Sequence, residues 1–524
     1  MIKRKSPAAL ILCFLILFGF VSNANASSLP FSAAIGGAIV KQFETGKLKI
    51  NKIVVGKPNI FQPDELNAVL AKYEGREITI DELRHIQTTL SKYYYESGYV
   101  NSGVIIPDQT IKNGVIHIDP VQGRLSRVRV SGNHSVSKIY IYNTLKKGIS
   151  VPLNVRSLQQ SLVELRQDPL IANVKARLLP GEQLGQSILM LDIKEKSPYF
   201  LNIEANNYKP VSIGQYSFMV NGGHRNLTGL QDTLKANVDF AQGLQNMGLD
   251  YSVPLQTRNI RLFANYNYAA FQVVDSVFSK LDVGGSTTSL GAGLSIPLIR
   301  STQIDFSIRG GMDYRHMTYS IAGDTAREPS SSPVYMALDA SIKRATFAGA
   351  ISMGERHGLK LGSTNQQSDL RSFDAGVGQL YMAYRPFGRI EWIVNLNGQL
   401  ALNELPAVEK FAMGGANSVK GYRQNIYVRD SGAVALAHVK IPVYRSKVFV
   451  LPFVDYGTTW ERTDGFLGGN SRKELLSVGL GMQWHITKAF YSEFSWGTPL
   501  IDVKGVEDQQ QSGGVYAMLN YKVF

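Results

Sequence analysis

From about Tyr199 to the C-terminus, apolar and polar side chains alternate with a period of two and the helical period is absent. The clearest run is RIEWIVNLNGQLAL. Ile390, Trp392, Val394, Leu396, Leu400 and Leu402 share one face of a strand, and Glu391, Asn395, Asn397 and Gln399 share the other. LLSVGLGMQWHI does the same, with Leu476, Val478, Leu480, Met482, Trp484 and Ile486 opposing Ser477, Gly479, Gly481, Gln483 and His485. Sixteen strand-like segments follow one another, joined by short turns alternating with longer loops near 272–285, 321–333, 358–371, 403–431, 461–473 and 500–512. An apolar outer face and a polar, glycine-rich inner face are the pattern of a transmembrane antiparallel β-barrel. About twenty residues per strand and connection suits a tilted spanning strand. A soluble β-sandwich also alternates, but it does not explain why Trp392, Trp460, Trp484 and Trp496 all lie in the last third.

Before the strands, helical and strand periods mix, and one order appears twice. The first copy runs from the strand KLKINKIVV through the helix PDELNAVLAKY, with Pro63 at its first turn. A second helix, TIDELRHIQTTLSKYYYESG, opens with a Thr79-x-x-Glu82 capping box and places Leu83, Ile86, Leu90 and Tyr94 on one face. Two strands, SGVIIP and GVIHIDPV, complete it. The second copy repeats the order, with Leu158, Leu162 and Leu165 on one face of NVRSLQQSLVELRQDP. Each copy is β-α-α-β-β, so the chain reads as mostly β: a 16-stranded barrel preceded by two small α+β modules.

Composition agrees. Charged residues are 18% of the chain, below the roughly 25% of soluble domains, while glycine (49) and Tyr plus Phe (25 and 23) are abundant. The formal charge is +14, but Lys and Arg are scattered singly, which argues against nucleic acid. MIKRKSP, a 14-residue apolar run and Ala24 to Ala26 form a secretory signal over 1–26, whose removal takes three cations and leaves +11. The sole cysteine, Cys13, lies in that run, so the mature chain has no thiol for disulfides, metal or nucleophilic catalysis. LILC is only a faint lipidation match, because the run continues past it. No catalytic or phosphate-binding motif appears. GLGMQW and GAGLSI are strand patterning, and GERHG has too few ligands for a metal. The expectation is no enzyme, cofactor or metal site.

The remaining feature is a loop, GGANSVKGYRQN, between the eleventh and twelfth strands. Its SVKGY core (Ser418, Val419, Lys420, Gly421, Tyr422) and the strand segment FVDYG (Phe453, Asp455, Gly457) resemble the Val-Arg-Gly-Tyr/Phe and Phe-x-Asp-x-Gly motifs of two-partner secretion transporters of the TpsB type. These are the haemolysin secretion/activation proteins of the POTRA-barrel superfamily in Gram-negative bacteria. IPDQTIKNGVIHIDPVQGRLSRVRVSGN is similar to the family's junction between two POTRA modules, and ANNYKPVSIGQYSFMVNGGHRNLTGLQDTL to its first barrel hairpin.

The resemblance implies a plan: a signal peptide (1–26), an N-terminal segment with a candidate plug helix (27–46), POTRA 1 (47–121), POTRA 2 (122–197) and the barrel (198–524). Loop 403–431 would fold into the lumen, with Lys420 paired to Asp455 where relatives use arginine. A solvated lumenal lysine is the alternative. Lysine gives up the planar fork of arginine. The implied function is threading of an unfolded partner exoprotein, a haemolysin, adhesin or contact-dependent toxin, through the barrel without ATP. Module edges would capture it by strand addition, with Tyr93, Tyr94 and Leu158 lining side-chain grooves. The implied place is the outer membrane, amid lipid and lipopolysaccharide and with the modules in the periplasm. Phe524 would mark the tail for the barrel-assembly machinery. An assembly factor of the same superfamily and a simple porin are the alternatives.

Overall fold

The computed structural model describes residues 37–43, 46–57, 60–255, 260–274, 282–301, 303–327, 330–359, 372–462, 471–503 and 510–524. The signal segment, the start of 27–46 and the middles of several long loops lie outside the described residues. The chain forms two compact units divided between Lys196 and Ser197.

The first unit holds both α+β modules. In the first, Lys52–Val55 runs parallel to Val115–Val121, which pairs antiparallel with Gly103–Ile105. In the second, Arg124–Ser131 runs parallel to Gln186–Glu195, which pairs antiparallel with Ile171–Pro180. The last strand is therefore central in each. The expected opening strand of the first module breaks at Asn51, whose N–H donates to Gly114 O (2.8 Å). Residues before the break, Leu48–Ile50, form a separate ribbon with Arg76–Ile78.

The capping box is present: Glu82 N–H donates to Thr79 Oγ1 (3.2 Å) and Thr79 N–H to Glu82 Oε2 (2.9 Å). It starts helix Ile80–Glu96, whose Leu83, Ile86, Leu90 and Tyr94 are fully buried with Ile53, Ile116 and Ile118. Each such side chain contributes about 1.5–3 kcal/mol by burial. Two expected groove residues are thereby corrected. The periodicity that exposes a stripe to the sheet puts Tyr94 in the first core and Leu158 in the second, both at 0% exposure. Burial pushes the Tyr94 phenol up to about 12. Tyr93 is half-buried, its ring 4.6 Å from that of Phe61.

The described part of the candidate plug segment is helix Gly37–Gln42, and it is docked on the first module. Ile39 and Phe43, one turn apart, enter that core. Ala38 N–H donates to Asp108 Oδ1 (2.6 Å), and Ile111 N–H donates to Gln42 Oε1 (2.8 Å). These contacts hold residues 37–43 on the first module, while the rest of the candidate plug segment lies outside the described residues.

The second unit is a closed antiparallel barrel of sixteen spanning strands, with the short Asp324–Arg327 strand appended to the seventh, Ile304–Ile321. Closure joins the first strand, Tyr199–Asn206, to the last, Val515–Lys522. Among the described residues no helix is long and apolar enough to cross a membrane. Trp392, Leu396, Leu480, Trp484 and Trp496 face outward and are exposed. Val523 N–H still donates across the seam to Leu201 O (2.8 Å), and Phe524 beyond it is exposed.

Candidate functional site

Residues 402–430 leave the eleventh strand, Ile390–Ala401, and return to the twelfth, Ser431–Tyr444. They are not irregular throughout: Phe411–Met413 pairs antiparallel with Tyr427–Arg429, making a small hairpin. Its tip turns at Gly414, Gly415 and Gly421, with φ of +107°, +100° and +91°, a region that side-chain-bearing residues rarely adopt. Ser418 closes the turn, its Oγ accepting from Gly414 N–H (3.2 Å). Val419 and Tyr422 are fully buried, packed with Met413, Val434, Leu475 and Val503.

The two motifs meet. Lys420 Nζ lies 2.9 Å from Asp455 Oδ2, and the Lys420 N–H donates to the same oxygen at 3.3 Å. The ammonium also sits 4.3 Å above the Phe453 ring, where the aromatic face attracts a cation. At Gly457 an added Cβ would fall 2.5 Å from Met413 Sδ and 2.9 Å from Val419 Cγ2. Phe453, Asp455 and Gly457 are successive inward positions of Val448–Trp460, whose intervening Val454 faces out. Period-two alternation thus gives three wall residues to one loop: a face for the cation, a counter-charge and a space.

Several residues of the site escaped the sequence reading. The Tyr422 hydroxyl lies 2.9 Å from Leu476 O and 2.8 Å from Ile501 O. Tyr516 of the last strand donates its hydroxyl to Tyr422 O (2.7 Å) and accepts from Gly421 N–H (3.2 Å). Its signal was present, a bulky aromatic on the inward face of the final strand. Buried Gln511 accepts from Gln424 N–H (3.3 Å) and donates to Asn207 O (2.9 Å) and Lys209 O (2.7 Å), so one side chain holds both hairpin and seam.

A second ionic anchor lies on other strands. Glu409, almost fully buried, has Oε2 at 2.7 Å from Arg315 Nη1 and 3.3 Å from Arg356 Nη1, while Ser331 Oγ donates to Oε1 (2.9 Å). Arg315 and Arg356 belong to the seventh and ninth strands, Asp455 to the thirteenth and Tyr516 to the sixteenth. The hairpin is therefore pinned to the wall on both sides of its root. Asp430 fixes the base, accepting from Leu405 N–H and Arg462 N–H (both 3.0 Å), with Lys410 Nζ at 3.3 Å. Among the described residues no cluster of His, Cys, Asp and Glu is placed to hold a metal.

Sequence and fold both have known counterparts. Residues 185–484 match the model of the haemolysin secretion/activation protein family ShlB/FhaC/HecB, a span that contains both motifs. The chain belongs to that family. Its members are outer-membrane transporters, not enzymes. Residues 48–123 match the ShlB-type POTRA domain, which covers the first module. The heme/hemopexin transporter protein HuxB of Haemophilus influenzae is 22% identical over 504 residues, covering 91% of this chain and 88% of that protein. The hemolysin transporter protein HpmB of Proteus mirabilis is 23% identical, covering 83% and 80%. The fold matches CdiB from Escherichia coli with a TM-score of 0.65 at 17% identity, over 100% of both chains. Barrel and family together place the protein in the outer membrane.

Proposed function

We propose that this chain is the translocator of a two-partner system: its POTRA modules, in the periplasm, bind an unfolded partner exoprotein that is threaded through the barrel to the surface without ATP. The observation that carries the reading is the hairpin at 402–430, which lies in the lumen and is held by ion pairs, hydrogen bonds and one small apolar cluster around Val419 and Tyr422. The polar contacts exchange for contacts with water or a passing chain, and the apolar cluster is small, so the hairpin can yield without unfolding the barrel and return. The rest of the lumen suits passage. A cavity of about 320 Å³ is lined by Asp305, Ser307, Asp339, Ser352, Gln379 and Asn395 together with Leu380 and Tyr381, a mixed surface on which polar groups can exchange contacts with a passing chain. Capture would use main-chain hydrogen bonds at the module edges, and folding outside would give direction. The partner is a haemolysin, adhesin or contact-dependent toxin of the kind such transporters export. Phe524 would present the tail to the barrel-assembly machinery, and lipid and lipopolysaccharide would surround the outer face.

Comparative proteomics of surface and culture supernatant, with and without the gene, tests the reading. Loss of one large exported protein is expected. If every exported protein stays in place the reading fails, and loss of many barrel proteins together would mark an assembly factor instead.

A further inference from the structure

We infer that the uncovered face of the second module's sheet binds an acidic, extended segment of the transported polypeptide. This rests on the translocator reading and adds the chemistry of what is recognised. Helices Lys138–Lys146 and Val155–Arg166 cover one face of that sheet, where Val174, Leu189 and Leu191 join the core. The alternate residues point the other way. In register across the three strands they form the rows Arg127–Ile188–Leu179 and Arg129–Met190–Arg177, with Lys175 two residues before Arg177 on the same face. An apolar stripe of half-buried Ile188 and Met190 thus runs down the central strand between two lines of cations.

Arg127, Arg129, Lys175 and Arg177 are exposed, and none makes an ion pair among the described residues. Asp192 stands across the ladder from Lys175 and two residues before Lys194 on the same face, so the surplus is concentrated at Arg127, Arg129 and Arg177. The corresponding face of the first module carries Lys52, His117 and Asp119 and is close to neutral. The surplus therefore belongs to the second module alone. Strand spacing sets the cation lines about 10 Å apart, and side chains on one face of a strand repeat every ~7 Å. An extended chain has that same repeat. Acidic side chains at every second position then face the sheet together, their methylenes over the apolar stripe and their carboxylates within reach of the cations on either side. An anionic membrane surface is the rival occupant, but the face holds no Trp, Tyr or Phe, the residues that settle at a headgroup boundary.

The test uses the full-length protein in phosphatidylethanolamine nanodiscs and a labelled ten-residue peptide alternating Glu and Val, with a Gln-for-Glu peptide as control. Fluorescence anisotropy is expected to show roughly tenfold tighter binding of the Glu peptide, weakening as salt rises. Arg129→Glu/Arg177→Glu loses that preference, whereas Arg129→Lys/Arg177→Lys keeps it. Arg129→Gln/Arg177→Gln also loses it, and guards against misfolding of the reversed pair. Equal binding of the two peptides, or full binding by the charge-reversed protein, overturns the proposal. So does protection of amides 173–192 from hydrogen exchange by phosphatidylglycerol nanodiscs without peptide, which assigns the face to lipid. In cells lacking the gene, the charge-reversed variant is expected to export less than wild type. Failure of wild type itself to restore any exported protein overturns the translocator reading instead, and the peptide titration tells the two failures apart.

Discussion

Lys420 sets its ammonium 2.9 Å from Asp455 Oδ2 and leaves Asp455 Oδ1 with no hydrogen-bond partner among the described residues. The neighbour across the ladder is Ser477, whose buried hydroxyl is unpartnered as well. A single-point lysine holds the hairpin but uses half of the carboxylate, whereas a planar guanidinium can address both oxygens.

Asp455→Ala therefore strands a largely buried cation and weakens docking of the hairpin by about 3 kcal/mol. Single-channel conductance of the purified protein is expected to rise and export to fall. Lys420→Arg is tolerated or docks more firmly. Impairment by Lys420→Arg with none by Asp455→Ala would remove the pairing from any role in export.

Gly457 tests the packing beside that pair. Met413 and Val419 are fully buried against it, so neither can swing away from a new methyl group. Gly457→Ala should cost about 1–3 kcal/mol, the range for overpacking a filled core. Because its backbone pairing with Leu475 is unchanged, the loss falls on the hairpin and not on the barrel. Heat-modifiable gel mobility should stay that of wild type while hydrogen exchange at 411–429 speeds up. Unchanged exchange there would show that the space is not needed.

The barrel was legible because lipid outside and water inside impose a strict period of two, and sixteen repeats leave little room for another architecture. Both motif segments were legible for a local reason: five consecutive residues each, one on a turn and one on a strand. Glu409 with Arg315 and Arg356 was not, since the partners lie 94 and 53 positions away and no short-range pattern links them. Tyr94 and Leu158 failed differently. Their positions on an amphipathic helix were read correctly, but that stripe faces the sheet, so side chains expected in grooves are core. The helix at Gly37–Gln42 was visible too. Its docking site was not, because it depends on Asp108 and Ile111 far along the chain.

Glu195 gives the second module a pH-dependent brace. Burial opposes its ionisation, yet the N–H groups of Ser135 and Val136 (both 2.8 Å) and His134 (2.9 Å) donate to the carboxylate and hold it below the ordinary 4.5. A depressed folded-state value means the stabilisation is complete above about 4.5 and is lost as pH falls through the folded-state value. Urea unfolding of the compact unit that ends at Lys196 should therefore show stability dropping below about pH 4.5. Glu195→Gln should cost about 2 kcal/mol at pH 7 and flatten that drop. An equally steep acid loss in the variant would move the brace to another carboxylate.

Glu409 and Asp455 divide the hold on the hairpin between two regions of the wall, and their separate removal shows whether one anchor suffices. Glu409→Ala leaves Arg315 with Asp313 at 3.0 Å but takes from Arg356 the carboxylate it meets at 3.3 Å. A hydrogen bond to a charged group is worth about 1.5–3 kcal/mol, so the variant should loosen the hairpin about as much as Asp455→Ala does. The anchors lie on different strands and share no side chain, so the double variant should open the pore further, with nearly additive losses. Glu409→Gln, which keeps the side chain's shape but removes its charge, should loosen the hairpin nearly as much as Glu409→Ala, which loss of packing alone would not produce. Wild-type conductance and export in Glu409→Ala, alongside clear changes in Asp455→Ala, would leave the hairpin with a single working anchor. The contact with Arg315 and Arg356 would then have no part in holding the lumen closed.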